Sequence, residues 1–180
     1  MKKNLMVLLF IILSGSAAMA KNSYFGINVG TTLYTRDGNS PGFYAFFRGI
    51  GDKPDHLVGF AIDVHTLSNH TYYRKTNGSA FSLNFAIAPK IKVERSYFYI
   101  GPVAGVAILS YSAADMFGKG SKSGPSLTFG AQAGANIFLT NTLMWNFEIS
   151  PRWLSRSRNF MANFPDAYVP LSTGLRFQLP

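Results

Sequence analysis

The residues best suited to chemistry lie in one short stretch, Asp63-x-His65-x-x-Ser68-Asn69-His70. An acid, a base and a hydroxyl are the ingredients of a hydrolytic triad, in which a carboxylate orients an imidazole and the imidazole activates an oxygen. Asp63 and His65 stand two apart, so on an extended strand they share a face. Ser68 opens the polar segment that follows. The competing reading makes His65 a hydrogen-bonded interior residue and His70 a solvated one. No metal site or cofactor is expected, because His56, His65 and His70 are the only histidines, no acidic cluster accompanies them, and the chain has no Cys.

A second group is ionic. Arg48, Asp63, His65, Lys90, Lys92, Glu148, Arg152 and Arg176 all fall within apolar runs. Burying charge is strongly unfavourable unless it is paired. These residues are therefore expected to form a network of acids and bases inside whatever the runs build. A third group is basic and lies between the runs: Arg36, Arg74, Lys75, Lys119, Lys122, Arg156 and Arg158, against Asp37, Asp115 and Asp166, a balance of +4. Tyr72, Tyr73, Phe117, Phe160 and Phe164 are interleaved with them.

The elements that must position these groups are strands. Eight alternating runs are legible, at 23–34, 43–50, 57–67, 79–93, 97–110, 126–139, 142–154 and 167–179. Phe81, Leu83, Phe85, Ile87, Ile91 and Val93 share one face of the fourth, opposite Ser82, Asn84, Ala86, Ala88, Lys90 and Lys92. Val58, Phe60, Ile62 and Val64 oppose Asp63 and His65 in the third; Trp145, Phe147, Ile149 and Trp153 oppose Glu148 and Arg152 in the seventh. The second and fifth runs break the rule: both phases of the second are aromatic, and Val103 and Leu109 fall in phase with Gly101 and Gly105. A β-bulge in either would restore it.

Connections alternate between short (52–56, 94–96, 140–141) and long (36–42, 68–78, 111–125, 155–166). That predicts an all-β, closed, antiparallel up-and-down barrel of about 8 strands. Period two does not say which face is outside. A soluble periplasmic barrel binding an apolar ligand would turn its apolar face in; a transmembrane barrel would turn it out. Three features favour the transmembrane form. Basic side chains on a lipid face cost about 2–4 kcal/mol at mid-bilayer. The polar face is rich in Gly, Ala, Ser and Asn, which fit a narrow eight-stranded lumen. Tyr97, Phe98, Trp145 and Trp153 sit near strand ends, where interfacial girdles belong. Charged residues are only 14% of the chain, against roughly 25% in soluble domains. In this arrangement Asn28, Asp63, Asn84 and Glu148 lie near mid-height inside, Arg48, Lys90, Lys92 and Arg176 lower, and His65 and Arg152 higher. So narrow a lumen leaves no open pore.

The amino terminus reads as a secretory signal peptide over 1–20: basic Lys2 and Lys3, an apolar stretch from Leu5 to Leu13, and Ala18-Met19-Ala20 as the cleavage site. The barrel domain is then 21–180, starting at Lys21, and the net charge falls from +9 to +7 with Lys2 and Lys3 removed. No nucleic-acid motif accompanies that charge; anionic lipid and lipopolysaccharide phosphates are the expected partners, contacted through Arg74, Lys75, Lys119, Lys122, Arg156 and Arg158.

The runs FYIGPVAGVAIL (98–109) and FGAQAGANIFLTNTLMWNFEISPRW (129–153), with Gly-x-x-x-Gly at Gly101/Gly105 and Gly130/Gly134, resemble the small bacterial outer-membrane β-barrels, the OmpA/OmpX-like and opacity-type group. The resemblance covers the whole barrel domain as a pattern and implies an outer-membrane location. Thr173-Gly174-Leu175-Arg176-Phe177-Gln178-Leu179 resembles their carboxyl-terminal assembly signal, with Gly174, Phe177 and Leu179 in the key positions, although Leu179 stands where an aromatic is usual and Pro180 follows. This implies delivery by the barrel-assembly machinery. Outer-membrane lipid A deacylases are barrels of this size that use an acid, a base and a hydroxyl, but their His-x-Ser-Asn pattern lies near the carboxyl end, and 150–158 here has no His. The expected protein is a monomeric, non-enzymatic barrel with an envelope-integrity role, and a lipid A hydrolase is the alternative.

Overall fold

The alternation in the sequence becomes one antiparallel sheet that closes on itself. The structure is a computed structural model and describes residues 23–34, 39–40, 42–71, 74–115, 118–155 and 167–179. Its strands are β1 (Ser23–Tyr34), β2 (Asn39–Ser40), β3 (Gly42–Asp52), β4 (His56–Thr71), β5 (Arg74–Val93), β6 (Ser96–Asp115), β7 (Gly118–Phe138), β8 (Leu143–Ile149), β9 (Arg152–Ser155) and β10 (Ala167–Gln178). β8 and β9 are one stave, because both keep a single register against β7 and β10. It is interrupted at Pro151, which has no N–H to give the ladder. β2 and β3 also form one stave along β4, with a one-residue slip of register between them. Eight staves result, and β1 pairs with β10 to close the ring.

The register fixes the shape. Paired residues lead from Tyr24 to Ile50, Gly59, Ala86, Val103, Gly130, Arg152 and Tyr168, and the circuit returns to β1 at Tyr34, ten residues further on. Eight strands with that stagger tilt by about 40° and enclose a backbone radius of about 8 Å. Such a lumen holds side chains and little else.

The outer face is apolar and the lumen polar. Ile91, Ile100 and Leu127 are 72%, 65% and 58% exposed, whereas Asp63 and Arg176 are fully enclosed. Phe98, Trp145 and Phe177 ring the end with the short turns, and Phe43, Phe81 and Trp153 the other. Trp145 and Trp153, on one stave, stand about 20 Å apart along the axis. This is the transmembrane arrangement; a soluble barrel with an apolar lumen is its inverse.

Four expectations need correction. The hairpins do not end where the sequence turns polar: pairing continues to Thr71↔Arg74 and Asp115↔Gly118. Polarity there marks where the outward face leaves the apolar band, while Ser, Thr and Asn keep the ladder intact. Ser68 therefore lies within β4 and not in a loop. The fifth run has no bulge: its register against β5 and β7 is uniform, so Val103 and Leu109 do face the lumen. The second run has one only at its start, where the register slips by one residue between Ser40↔Ser68 and Tyr44↔His65. Beyond it Tyr44 and Phe46 point inward. Tyr97 also points inward, packed with Tyr24, Ile50, Leu57 and Met144 at the short-turn end of the lumen. The segment 1–20 lies outside the described residues.

Candidate functional site

The lumen carries two ionic clusters at different heights. In the lower one, Glu148 on β8 meets Arg48 on β3, three staves away round the ring. The guanidinium is bidentate, Nη1 donating to Oε2 and Nη2 to Oε1, the latter at 2.8 Å. The Tyr99 hydroxyl donates to Oε2 at 2.6 Å. Arg176 Nη2 donates to the Tyr99 oxygen at 2.9 Å and lies 3.6 Å from Glu148 Oε2. Its guanidinium also sits over the Tyr99 ring, and that of Arg48 over Phe46, at 5.3 and 4.6 Å to the centroids. Asn146 ties this cluster to its neighbours, donating to Tyr99 at 3.1 Å and accepting from Asn28 at 2.6 Å.

In the upper cluster, Asp63 on β4 and Arg152 on β9 face each other across the full diameter, four staves apart either way. Arg152 Nη1 donates to Asp63 Oδ2 at 2.7 Å. Asn84 Nδ2 donates to the same oxygen at 2.7 Å, and Ser82 Oγ donates to Oδ1. Ser150 accepts from Arg152 Nε at 3.1 Å, and Thr128 donates to Asn84 Oδ1 at 2.5 Å. Both carboxylates are thus saturated by donors, as buried charge requires.

Chemically, this arrangement crosslinks. Side chains from facing walls touch at several levels among the described residues, so no wide aqueous path runs between them. The clusters hold three guanidiniums and two carboxylates, a balance of +1.

The other sequence candidates do not join. Asp63 and His65 share a face as expected, but the His65 ring packs at a tilt on Tyr168, 4.3 Å between centroids, and neither ring nitrogen has a hydrogen-bond partner among the described residues. Ser68 is three residues beyond His65, on the opposite phase of β4, and its Oγ donates to Asn77 at 3.2 Å. Asp63, His65 and Ser68 therefore do not converge as a triad. Lys90 bonds Asp52 near the short-turn end. Lys92 is exposed at the rim, because two more residues carry β5 past the last lumen layer. Arg74, Lys75, Lys119 and Lys122 have their backbones in the ends of the long hairpins. Arg156 and Arg158 lie outside the described residues. Gly174 points inward, where a Cβ would run into the Ile27 carbonyl oxygen and come within 2.6 Å of Asn28 Cα; Phe177 and Leu179 point out.

Sequence reasoning missed the hydroxyl partners Ser82, Tyr99 and Tyr44, the last of which accepts from Arg152 Nη2 at 3.4 Å. Their signal was phase: each occupies the strand face that carries the charges.

No protein-family profile and no curated relative matches the chain. Solved structures do. Neisserial surface protein A superposes with a TM-score of 0.54 over 88% of this chain and 96% of its own, at 14% identity. The attachment invasion locus protein Ail of Yersinia pestis gives 0.56 over 88% and 97%, at 12%. A major outer membrane protein from Thermus thermophilus gives 0.61 over 87% and 99%, at 10%. At these identities the likeness is one of fold.

Proposed function

We propose that this chain, which has the fold of the small outer-membrane β-barrels, is a non-enzymatic structural protein of a bacterial outer membrane that presents basic segments to lipopolysaccharide. The observation that carries this reading is the crosslinked lumen inside an apolar wall: charged side chains bridge facing staves, and Asp63, His65 and Ser68 do not converge. The barrel stiffens a bilayer and does not perforate it. The basic segments with Arg74, Lys75, Lys119 and Lys122 sit at the outer ends of the long hairpins β4–β5 and β6–β7, where phosphates of the outer leaflet would accept charge-assisted hydrogen bonds. Arg156 and Arg158 join them in this reading. Gly174, Phe177 and Leu179 form the segment for the assembly machinery, and the barrel works as a monomer.

The test is expression in a Gram-negative host. The protein should fractionate with the outer membrane and run faster on a gel unheated than boiled, and the lipid A mass spectrum should not change. Loss of an acyl chain from lipid A on expression would overturn the non-enzymatic reading. Replacing the four described hairpin bases by Gln should weaken retention on immobilised lipopolysaccharide several-fold; unchanged retention would remove the contact.

A further inference from the structure

We propose that the short-turn mouth of the lumen is a binding site for a small soluble phosphate monoester. A cleft of about 320 Å³ opens there between the β5–β6 and β7–β8 turns, at the lower edge of the roughly 300–1,000 Å³ of small-molecule sites. Its walls include Lys92, Glu94, Arg95, Phe138, Thr140 and Asn141. Short turns lie on the periplasmic side of barrels of this kind, so the ligand would come from the periplasm.

The cleft belongs to the lumen and not to the lipid face. Lys92 pairs with Tyr97 across the β5–β6 ladder, and Phe138 with Met144 across β7–β8. Tyr97 and Met144 point into the lumen, so Lys92 and Phe138 hold the inward phase as well. Phe138 packs on the Tyr97 ring, 5.9 Å between centroids, which gives the cleft an aromatic floor. The Phe138 N–H donates to the Arg95 carbonyl at 2.9 Å and holds the two turns side by side.

The polar groups of the cleft are mostly donors. Lys92 and Arg95 can only donate. Neither makes an ion pair among the described residues, even with Glu94 between them, whereas Lys90, one layer deeper, bonds Asp52. Thr140 Oγ already accepts from the N–H groups of Thr142 and Leu143, at 3.2 and 3.0 Å, which leaves its own proton to donate. Asn141 adds an amide.

Charge deeper in the lumen acts in the same sense. Arg176 is fully enclosed, and its Nε and Nη1 have no hydrogen-bond partner among the described residues. Because it shares Glu148 with Arg48, the lower cluster keeps one positive charge in excess. Low-dielectric walls focus such a field towards the mouth of a cleft. A donor-rich, positive cleft calls for an anion with several acceptor oxygens. A phosphate monoester carries three on one atom and a charge of about −1.5 to −2, and the rest of the volume takes its organic part. Acyl chains are kept out, because the strands of the wall stand between the cleft and the bilayer.

Titrating the folded, detergent-extracted barrel with glycerol 1-phosphate, followed by the NMR shifts of the Lys92, Arg95, Thr140 and Asn141 amides, tests this. The wild type should show saturable shifts with the phosphate and none with glycerol. Lys92→Gln with Arg95→Gln should weaken binding about tenfold or more while the heat-modifiable gel shift persists. If that variant does not fold, Lys92→Gln alone should weaken it several-fold. Glu94→Gln, which removes the competing acceptor, should tighten it. Lys53→Ala, which removes a base of the same end outside the cleft, should leave it unchanged. No saturable shift, unchanged affinity in the double variant, an equal loss with Lys53→Ala, weaker binding by Glu94→Gln, or tighter binding of a short-chain phosphatidic acid than of glycerol 1-phosphate would each overturn the proposal.

Discussion

Asp63 and Arg152 reach each other from opposite walls of the barrel, Oδ2 to Nη1 at 2.7 Å with both side chains fully enclosed. A pair so placed is held between staves that are not neighbours, so it resists ovalisation of the ring as well as unpairing of strands. Removing one partner leaves the other charged and buried, at a cost of about 3–5 kcal/mol. Asp63→Leu and Arg152→Met should each destabilise the barrel to that extent. The double variant should recover part of the loss, with a coupling energy of about 2 kcal/mol. Urea unfolding in lipid vesicles measures it, and strict additivity would show that the contact carries no energy.

Glu148 is the more sensitive position of the lower cluster. It is the one carboxylate facing two guanidiniums, Arg48 and Arg176, in this cluster. Glu148→Ala should therefore lower urea resistance more than loss of any rim charge such as Lys53 or Glu94, by about 3–5 kcal/mol. Equal unfolding midpoints for Glu148→Ala and Lys53→Ala would sink the idea of a paired lumen.

Gly174 is a packing requirement. A Cβ there would collide with the backbone of β1 at Ile27 and Asn28, whereas at Gly120 nothing lies within 4 Å. Gly174→Ala should reduce the fraction of chain reaching the heat-modifiable form in a refolding assay. Gly120→Ala should leave it unchanged. The contrast separates a steric demand at the closing seam from a general dislike of lost glycine.

The turn between β5 and β6 carries a local strain. Glu94 has φ of 48°, the left-handed region, which costs a residue with a Cβ about 1–2 kcal/mol. Glu94→Gly should relieve it and, after the entropy of glycine is deducted, raise stability by about 0.5–1 kcal/mol. Arg95→Gly should give no gain. A lower urea midpoint for Glu94→Gly than for wild type would contradict this.

The staves and their faces were legible because period two is enforced twice over, by lipid outside and charge inside: Phe85 beside Asn84, Phe147 beside Glu148. What the sequence hid was where staves stop and which charges meet. β5 and β6 continue past Ser79 and Ser110 because polar residues pair as well as apolar ones once the wall has left the bilayer. Partner choice was hidden because Arg48 and Glu148 stand 100 positions apart, and only the ten-residue stagger sets them at one height. Tyr97 and Lys92 were misplaced for a related reason: near a strand end, one residue separates lumen, interface and rim.

The stagger also constrains how the molecule can enter its membrane. Each enclosed ion waits for a counter-ion from a segment far along the polypeptide, and the last stave supplies Arg176. A chain inserted stave by stave would drag naked guanidiniums through hydrocarbon, each at about 2–4 kcal/mol. The less costly route is a concerted one: the strands curl together at the bilayer surface, the ions neutralise one another as the seam zips, and the sealed cylinder sinks in.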